Sequence, residues 1–336
     1  AMPQPIMLAR SRFLRRWGAW DNFFLYFIFF CIFASLNLDV LESLSLPTKL
    51  QMQKTLYSPL RYPGGKNCIY TFFASILVEN DMVGVAYAEP YAGGGGLALH
   101  LLFDNMVREI HLNDLDPLVY SFWYSVLNRG EDFCRWIDSV QVDVASWEKY
   151  RKIIEADDAD FFEKAKAFFF LNRTNVSGVI KGGIIGGKKQ TGRYCIDARF
   201  NKKDLIERIE KIQRYREKIH LTNLDGVDFV VDIDRTGDIL IYMDPPYYQK
   251  GSNLYMNFYS DNDHRQLSEA SKRLNNPWIV SYDNHEYILS LYIGQEKIKY
   301  QLSQCTSNRI GEELLIFSNL KNIKERLGSI PYAVFN

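Results

Sequence analysis

A strand, a glycine-rich loop, a helix and a second strand ending in an acid follow one another early in this chain of 336 residues. The apolar run at 85–89 predicts the first strand, and the four glycines Gly93 to Gly96 come soon after it. A helix over 97–103 and a strand over 109–113 follow, and Asp114 ends that strand. This order is typical of a nucleotide-binding half of an α/β fold. We therefore expect a parallel sheet with helices on both faces.

A second apolar run, Ile239–Met243, predicts a buried strand and leads directly into Asp244-Pro245-Pro246-Tyr247. A carboxylate, two proline carbonyls and an aromatic ring thus meet at the carboxyl end of a strand, where ligands bind in open α/β sheets. An acceptor beside a flat ring suits a flat, amine-bearing substrate such as a nucleobase. The same residues also suit a simple strand-ending turn, because proline cannot continue a central ladder.

The remaining pattern predicts an α/β domain with an insertion. Strand-like runs recur late in the chain, at 219–223, 278–282 and 313–318. Between the two halves lie helical segments and a glycine- and lysine-rich loop. We expect a catalytic domain formed by 52–128 and 216–336, and a mostly helical target-recognition insertion over 129–215.

Composition bounds the class of protein. With 47% hydrophobic residues the chain can bury a large core, and its length suggests one or two domains. The formal net charge is zero, so any affinity for nucleic acid requires a local basic surface. Five scattered cysteines without zinc-site spacing predict a reducing cytoplasm and no structural metal.

Residues 1–51 stand apart from this pattern. The apolar run at 23–36 follows several arginines, as in a signal peptide or a short membrane anchor. Its 14 residues are few for a membrane-spanning helix. The alternatives are an extension without a folded role, with Met52 as the natural start, a membrane-associating segment, or a helix packed on the domain. We do not expect a membrane partner.

The glycine loop and the acid after the second strand suit an adenosyl group. The loop lacks the Gly-x-Gly-x-x-Gly spacing, and no Lys-Ser/Thr follows it, so contact with adenosine is favoured over contact with a pyrophosphate. A flexible turn is the alternative. Asp114 lies about 20 residues beyond the loop, as a carboxylate that binds ribose hydroxyls does. Asp116 competes for that role, and either residue could instead cap the next helix.

Two further residues are candidates for ligand binding with weaker support from the sequence. Asp225 follows the run at 219–223 and by position suits the amino group of a cofactor adenine, although a solvated turn explains it as well. Lys66 ends a proline–glycine turn before a helix. It suits a carboxylate or phosphate as a point charge, or it is a solvated surface lysine.

The insertion carries the candidate DNA-binding residues. Cations of its loop suit phosphate contacts, or form a solvated surface: Lys181, Lys188, Lys189, Arg193, Arg199, Lys202 and Lys203. Asn172, Arg173 and Asn175 offer amide and guanidinium groups for base edges. Hydrogen bonding within their own turn is an equal alternative.

Together the motifs resemble those of the Dam-type adenine-specific DNA methyltransferases, over about 58–319. The matching segments are Arg61-Tyr62-Pro63-Gly64-Gly65-Lys66, Glu89-Pro90-Tyr91-Ala92-Gly93-Gly94-Gly95, Asn113-Asp114, Leu171-Asn172-Arg173 with Gly178, Asp244-Pro245-Pro246-Tyr247, Trp278-Ile279-Val280-Ser281-Tyr282-Asp283, and Asn308-Arg309-x-Gly311-x-Glu313-Leu314-Leu315-Ile316.

The resemblance implies a Rossmann-like class I methyltransferase sheet, S-adenosylmethionine as the cofactor, double-stranded DNA as the partner and no metal. The implied cofactor-binding residues are Tyr62, Lys66, Glu89, Pro90, Tyr91, Ala92, Gly93, Gly94, Gly95, Asp114, Asp225 and Asp244. The implied catalytic residues are Asp244, Pro245, Pro246 and Tyr247.

The resemblance also implies a mechanism. The target adenine leaves the duplex, because its amino group is otherwise paired and stacked. Tyr247 then stacks on the base, while Asp244 and the carbonyl of Pro245 accept hydrogen bonds from the amine. The amine nitrogen attacks the sulfonium methyl group in line, with positioning and local electrostatics supplying much of the rate.

Alternatives remain open at this point. Methylation of the cytosine amine usually places serine where Asp244 stands, and methylation of RNA or of protein amides more often places asparagine there, so Asp244 favours adenine. A non-catalytic DNA-binding relative is a second class. Residues 172–178 differ from the aromatic-containing turn of enzymes that methylate GATC, so no target sequence is assigned. Oligomeric state, and a restriction, phage or solitary role, stay open.

Overall fold

Seven strands form one mixed sheet with the spatial order β3-β2-β1-β4-β5-β7-β6. The strands are β1 (Ala86–Glu89), β2 (Glu109–Asn113), β3 (Ile219–Thr222), β4 (Ile239–Met243), β5 (Trp278–Asp283), β6 (Glu296–Ser303) and β7 (Ile310–Phe317). The first five are parallel, and β7 runs antiparallel between β5 and β6. The sequence predicted six strands and missed the edge strand β6. Strand order reverses between β1 and β4, which makes their carboxyl ends a topological switch point.

Helices cover both faces of the sheet, as predicted. On one face, Leu240 and Tyr242 of β4 share a core with three helices: α1 (Tyr70–Glu79), α2 (Gly96–Phe103) and α3 (Pro117–Asn128). On the other face, Ile239, Ile241 and Met243 of β4 pack with the helices that follow residue 225. Successive side chains of β4 therefore alternate between two separate apolar cores, one on each face of the sheet.

Four helices form the insertion between α3 and β3. They are α4 (Gly130–Ser139), α5 (Val144–Glu155), α6 (Phe161–Thr174) and α7 (Lys202–Arg214). The mostly helical insertion is confirmed, although α4 was not predicted. Its apolar side chains belong to the same core as α1, α2 and α3. Phe122 of α3 stacks on Phe169 of α6 with ring centroids 5.5 Å apart.

Among the described residues, three more helices lie on the second face: α8 (Gly226–Ile233), α9 (Asp261–Ser271) and α10 (Glu286–Leu291). The computed structural model describes residues 56–62, 65–249, 259–303, 310–321 and 323. The predictions for residues 1–51, including its apolar run, and those for the motif positions Pro63, Gly64, Asn308 and Arg309 lie outside the described residues. Within the ranges given, no helix is long and apolar enough to cross a membrane.

Candidate active site

A cavity of about 250 Å³ lies at the switch point, where the carboxyl ends of β1, β2 and β4 meet. Many residues predicted for the cofactor or for catalysis line it: Tyr62, Lys66, Glu89, Tyr91, Ala92, Gly93, Gly94, Gly95, Asp114, Asp244 and Pro246. Four of the predicted residues do not: Pro90, Asp225, Pro245 and Tyr247. The structure therefore gathers the two strongest motifs of the sequence around one space.

The glycine loop lies close to the ring of Tyr62. Gly93 and Gly95 have φ angles of +46° and +55°, a left-handed conformation that glycine adopts without strain. A Cβ atom added to Gly93 would lie 2.6 Å from the Tyr62 ring. The Nε1 of Trp123 donates a hydrogen bond to the Gly93 carbonyl at 2.9 Å. Glycine is thus needed at position 93 both for the turn and for the close approach.

Asp114 is bound to that loop. Its Oδ2 accepts from the Gly93 N–H at 2.8 Å, and its Oδ1 accepts from the Asp116 N–H at 3.0 Å. Burial raises the pKa of Asp114 to about 7, although both hydrogen bonds oppose that rise. The competitor Asp116 accepts from the Leu118 N–H and caps α3. Asp114 is therefore the acid that is coupled to the glycine loop.

Asn113 is a positioning residue whose role the sequence did not reveal. Its fully buried amide donates to the carbonyls of Pro90 and Leu224, both at 3.0 Å. The amide oxygen accepts from the Thr222 hydroxyl at 2.8 Å. One side chain thus joins the carboxyl ends of β1, β2 and β3. It thereby fixes the position of the backbone at the next residue, Asp114.

Asp244 and Lys66 form a buried ion pair at the other end of the cavity. Lys66 Nζ lies 2.8 Å from both carboxylate oxygens of Asp244, and Lys66 is only 5% exposed. The Ser281 hydroxyl donates to Asp244 Oδ1 at 2.6 Å. Burial raises the pKa of Asp244, while Lys66 and Ser281 oppose the rise. The alternative of a solvated surface lysine is therefore wrong for Lys66, whose carboxylate partner is the acid of the Asp-Pro-Pro-Tyr motif.

Further polar groups surround this lysine. Glu313 Oε2 lies 3.8 Å from Lys66 Nζ and accepts from the Tyr300 hydroxyl at 2.8 Å. Burial alone would lower the pKa of Lys66, but the charges of Asp244 and Glu313 raise it well above its usual range. Lys66 therefore keeps its positive charge.

Glu89 adds a third acid to the cavity. Its Oε1 accepts from the Tyr87 hydroxyl at 3.0 Å, and burial raises the pKa of Glu89 to about 8. Most of the Glu89 population is therefore protonated at neutral pH, and in that state its carboxyl group can also donate. The cavity thus offers acceptors of different strength along its length.

Tyr247 does not line the cavity in this structure. Its hydroxyl accepts from Lys66 Nζ at 2.8 Å, and the residue is 9% exposed. The chain after the motif is fixed by Asp283, whose two carboxylate oxygens accept from the backbone N–H groups of Tyr248 and Gln249. The motif is thus tied to β5 on one side and to Lys66 on the other.

Ser281 and Glu313 were not predicted as site residues on their own. Both are buried polar residues within apolar strands, β5 and β7. A polar residue inside a buried strand needs a partner, because an unpaired buried polar group costs about 1–3 kcal/mol. A polar residue that interrupts an apolar strand is therefore the sequence signal by which Ser281 and Glu313 could have been identified.

Asn172 and Arg173, predicted to contact base edges, are both buried and hydrogen-bonded within the protein, and Asn172 also lines the cavity. Asn172 is 2% exposed; its amide accepts from the Arg61 N–H and donates to the carbonyls of Arg61 and Gly178. Arg173 is also buried, and its Nε donates to the Arg199 carbonyl at 2.7 Å. Both side chains thus join the insertion to other segments of the chain, as the alternative of structural hydrogen bonding expects.

Asn175 was predicted to contact base edges as well, and it too has internal partners. It is fully buried, and its Oδ1 accepts from Trp147 Nε1 at 2.6 Å. Its Nδ2 donates to the carbonyls of Val179 and Ile180. Hydrogen bonding within their own turn, the alternative weighed from the sequence, describes this part of the chain.

Asp225 is exposed, as expected for the solvated turn that was its alternative interpretation. Its exposed side chain caps α8 by accepting from the backbone N–H groups of Val227 and Asp228. It lies outside the cavity lining, whereas its neighbour Gly226 lies within it. The structure therefore gives Asp225 a helix-capping role.

The basic loop is exposed. Lys181, Lys188, Lys189 and Arg193 all face solvent. Lys188 forms an ion pair with Glu148 at 2.9 Å, and Lys181 reaches the rim of the cavity. All four cations are therefore exposed where a polyanion can reach them, and Lys181 also lines the cavity.

Comparisons with known proteins agree with this arrangement. The family described as D12 class N6 adenine-specific DNA methyltransferase matches residues 62–305, well over half of the chain. The Type II methyltransferase M.MjaIII of Methanocaldococcus jannaschii is 24% identical over 234 residues. That match covers 64% of this chain and 79% of the relative.

Two solved structures superpose weakly. One, described provisionally as an RNA methyltransferase from Pyrococcus horikoshii, has a TM-score of 0.37 and 8% identity over 78% of this chain and 88% of its own. The other, described provisionally as a class I S-adenosylmethionine-dependent methyltransferase from Listeria monocytogenes, has a TM-score of 0.34 and 10% identity, covering 76% and 61%. At these scores neither bears on individual residues.

Proposed function

Because the chain belongs to the D12 class of N6 adenine-specific DNA methyltransferases, we propose that its cavity binds S-adenosylmethionine at the glycine loop and presents the target adenine to Asp244. One observation carries this proposal. A single cavity is lined by the loop of Gly93, by Asp114 and by Asp244. A ribose acid and an amine acceptor thus face the same space, which a transfer between two bound molecules requires.

The chemistry of the cavity fits the cofactor. When bound, S-adenosylmethionine supplies a methyl group on a positively charged sulfonium. A carboxylate has about four lone-pair sites, and the N–H groups of Gly93 and Asp116 use two on Asp114. Two acceptor sites are left for two ribose hydroxyls. Gly93 and Gly94 allow the backbone to approach a ligand closely.

Asp244 accepts a hydrogen bond from the adenine amine. Lys66 contacts both oxygens and Ser281 contacts one, so about one of the four lone-pair sites remains. The Pro245 carbonyl takes the second N–H of the amine. Lys66 holds Asp244 ionised, and only an ionised carboxylate is purely an acceptor. The nitrogen lone pair is then turned toward the methyl group.

Tyr247 stacks on the target base after its hydroxyl has separated from Lys66. In this structure its hydroxyl binds Lys66, and its ring is almost wholly buried. We expect the entering adenine to separate Tyr247 from Lys66, so that the ring presents a face to the base. The ion pair between Lys66 and Asp244 persists during this step, since losing it would leave a buried charge unpaired.

The exposed cations of the insertion hold the DNA backbone. Lys188, Lys189 and Arg193 contact phosphates, and Lys181 does so nearest to the cavity. Because the chain has no net charge, this local surface supplies the attraction. DNA as the substrate favours a cytoplasmic enzyme.

Replacement of Asp244 by alanine tests the proposal. We expect D244A to lose methylation of DNA while binding S-adenosylmethionine almost as the wild type does, measured by calorimetry. The matched control is D228A, which removes an exposed carboxylate of α8. Nucleoside analysis of the wild-type product should give N6-methyladenine. Full activity of D244A, or methylation of cytosine by the wild type, contradicts the assignment.

A further inference from the structure

Three potential metal ligands lie together at one edge of the sheet, away from the cavity. They are Glu109 and His111 of β2 and His220 of β3. Their ligand atoms all lie within 4.8 Å of one another. None of the three lines the cavity of the proposed methyl-transfer site.

Sheet geometry brings these side chains together. Glu109 and His111 are two residues apart on one strand, so they project from the same face. His111 is paired in register with His220 on the neighbouring strand. The two imidazole rings stack with centroids 4.5 Å apart and planes 19° apart. The arrangement is therefore set by the backbone and not by flexible loops.

The donors face a common point. His220 Nε2 lies 2.9 Å from Glu109 Oε2. The other oxygen of that carboxylate, Oε1, accepts from Arg108 Nε at 3.1 Å, which orients the group. An outer partner of this kind commonly fixes a carboxylate that binds a metal. The side chains of Glu109 and His220 are 29% and 46% exposed, so an ion from solvent can reach them.

We propose that Glu109, His111 and His220 bind one divalent transition-metal ion of the zinc class. Two imidazoles and one carboxylate form a donor set that suits zinc, and a solvent-accessible site leaves a position for water. Small rotations about the side-chain bonds bring three ligand atoms to about 2.0–2.2 Å from a shared ion. The site departs from the expectation of no metal, which rested on cysteine spacing and on the family resemblance.

Such an ion would connect the edge strand β3 to β2. The same two strands are joined at their carboxyl ends by the hydrogen bond between Thr222 and Asn113. Metal binding would therefore reinforce the pairing of an edge strand that has a neighbour on one side only. This inference is independent of the proposed methyl transfer, and either can fail without the other.

Zinc titration of the full chain tests the site. After treatment with a chelator, ZnCl₂ binding is measured by calorimetry, and CoCl₂ binding by visible absorption. We expect saturable one-to-one binding, and a higher melting temperature with zinc. H220A and E109Q should each weaken binding at least tenfold, because even loss of an outer partner costs about 10–100-fold. The control H285A, which removes a histidine outside the cluster, should bind zinc like the wild type.

Three results would overturn the proposal. The first is a wild-type chain that binds no zinc, and the second is unchanged affinity in both H220A and E109Q. The third is a thiolate-to-cobalt band in the absorption spectrum, since Cys68, Cys134 and Cys195 carry free thiols. His220 is exposed, so H220A is expected to fold, and methylation activity measured in parallel reports the state of the catalytic site separately.

Discussion

Replacing Lys66 with methionine should reveal what the buried ion pair contributes. Lys66 Nζ lies 2.8 Å from both oxygens of Asp244 and 3.8 Å from Glu313. Methionine keeps an unbranched chain but removes the charge. Breaking a buried ion pair from one side costs about 3–5 kcal/mol, because the remaining charge is unpaired. We expect K66M to be destabilised by about this much at neutral pH.

The pH dependence of that loss gives a sharper test. Without Lys66, the pKa of Asp244 rises further above its unfolded value of about 3.9. The folded variant then holds a proton that the unfolded chain releases. The stability deficit of K66M is therefore small near pH 4 and grows as pH rises, by up to about 1.4 kcal/mol per pH unit, until the folded pKa is passed.

Activity should follow pH in the opposite sense. A protonated Asp244 donates instead of only accepting, so K66M should lose methylation near pH 7 by roughly 100-fold or more, as when one group that stabilises a transition state is removed. Its activity relative to wild type should then recover as pH rises and Asp244 ionises. A variant that only folds poorly would lose activity together with stability.

Urea unfolding and initial methylation rates, both at pH 5 to 9, measure the two trends. K299M is the matched control, because Lys299 is an exposed lysine of β6. It should unfold and methylate like the wild type at every pH. Parallel stability curves for K66M and wild type, or a pH-independent ratio of their activities, would refute the reasoning.

Three further predictions concern the other parts of the site. Because the pKa of Asp114 is raised to about 7, affinity for S-adenosylmethionine should rise with pH between 6 and 8 as this carboxylate ionises. In calorimetry D114N should bind more weakly and depend less on pH than the wild type, since Glu89, with its pKa raised to about 8, still titrates in the cavity. G93A should bind the cofactor at least tenfold more weakly, since its Cβ would overlap the Tyr62 ring in a left-handed turn; equal affinity would contradict this. Neutralising Lys188 and Lys189 with glutamine should reduce the slope of log affinity for DNA against log salt by up to about 2, and an unchanged slope would make the loop ordinary solvated surface.

The strand ends of the site were predictable from the sequence alone. Asp114 and Asp244 each directly follow an apolar run, and parallel strands place such residues at one edge of the sheet. The partners of Asp244 were not predictable, because Lys66 reaches it across 178 residues of chain and Ser281 across 37. Long-range contacts of that kind depend on strand order, which local sequence patterns do not specify.

The burial of Asn172 and Asn175 was not predictable for a different reason. Helix α6 is buried through its last two turns, so polar residues at its end are buried as well. The apolar run at 167–171 was visible in the sequence, but its effect on Asn172 was not. The partner of Asn172 is Arg61, which lies 111 residues away. A polar turn after a buried helix is better interpreted as an internal tie than as a binding surface.

The single core shared by the insertion and the sheet bears on how the insertion can change in evolution. Phe122 of α3 packs face to face with Phe169 of the insertion. Asn172 forms two hydrogen bonds with the backbone of the segment before Lys66. A transplanted insertion from a relative would have to match these packed surfaces, since cores lose stability when shapes disagree. The loop at 181–193 is mostly exposed and has one buried residue, Ile184, so it is less constrained by packing. Substitutions in this lineage should therefore accumulate in that loop, with the helices beneath it inherited as a unit.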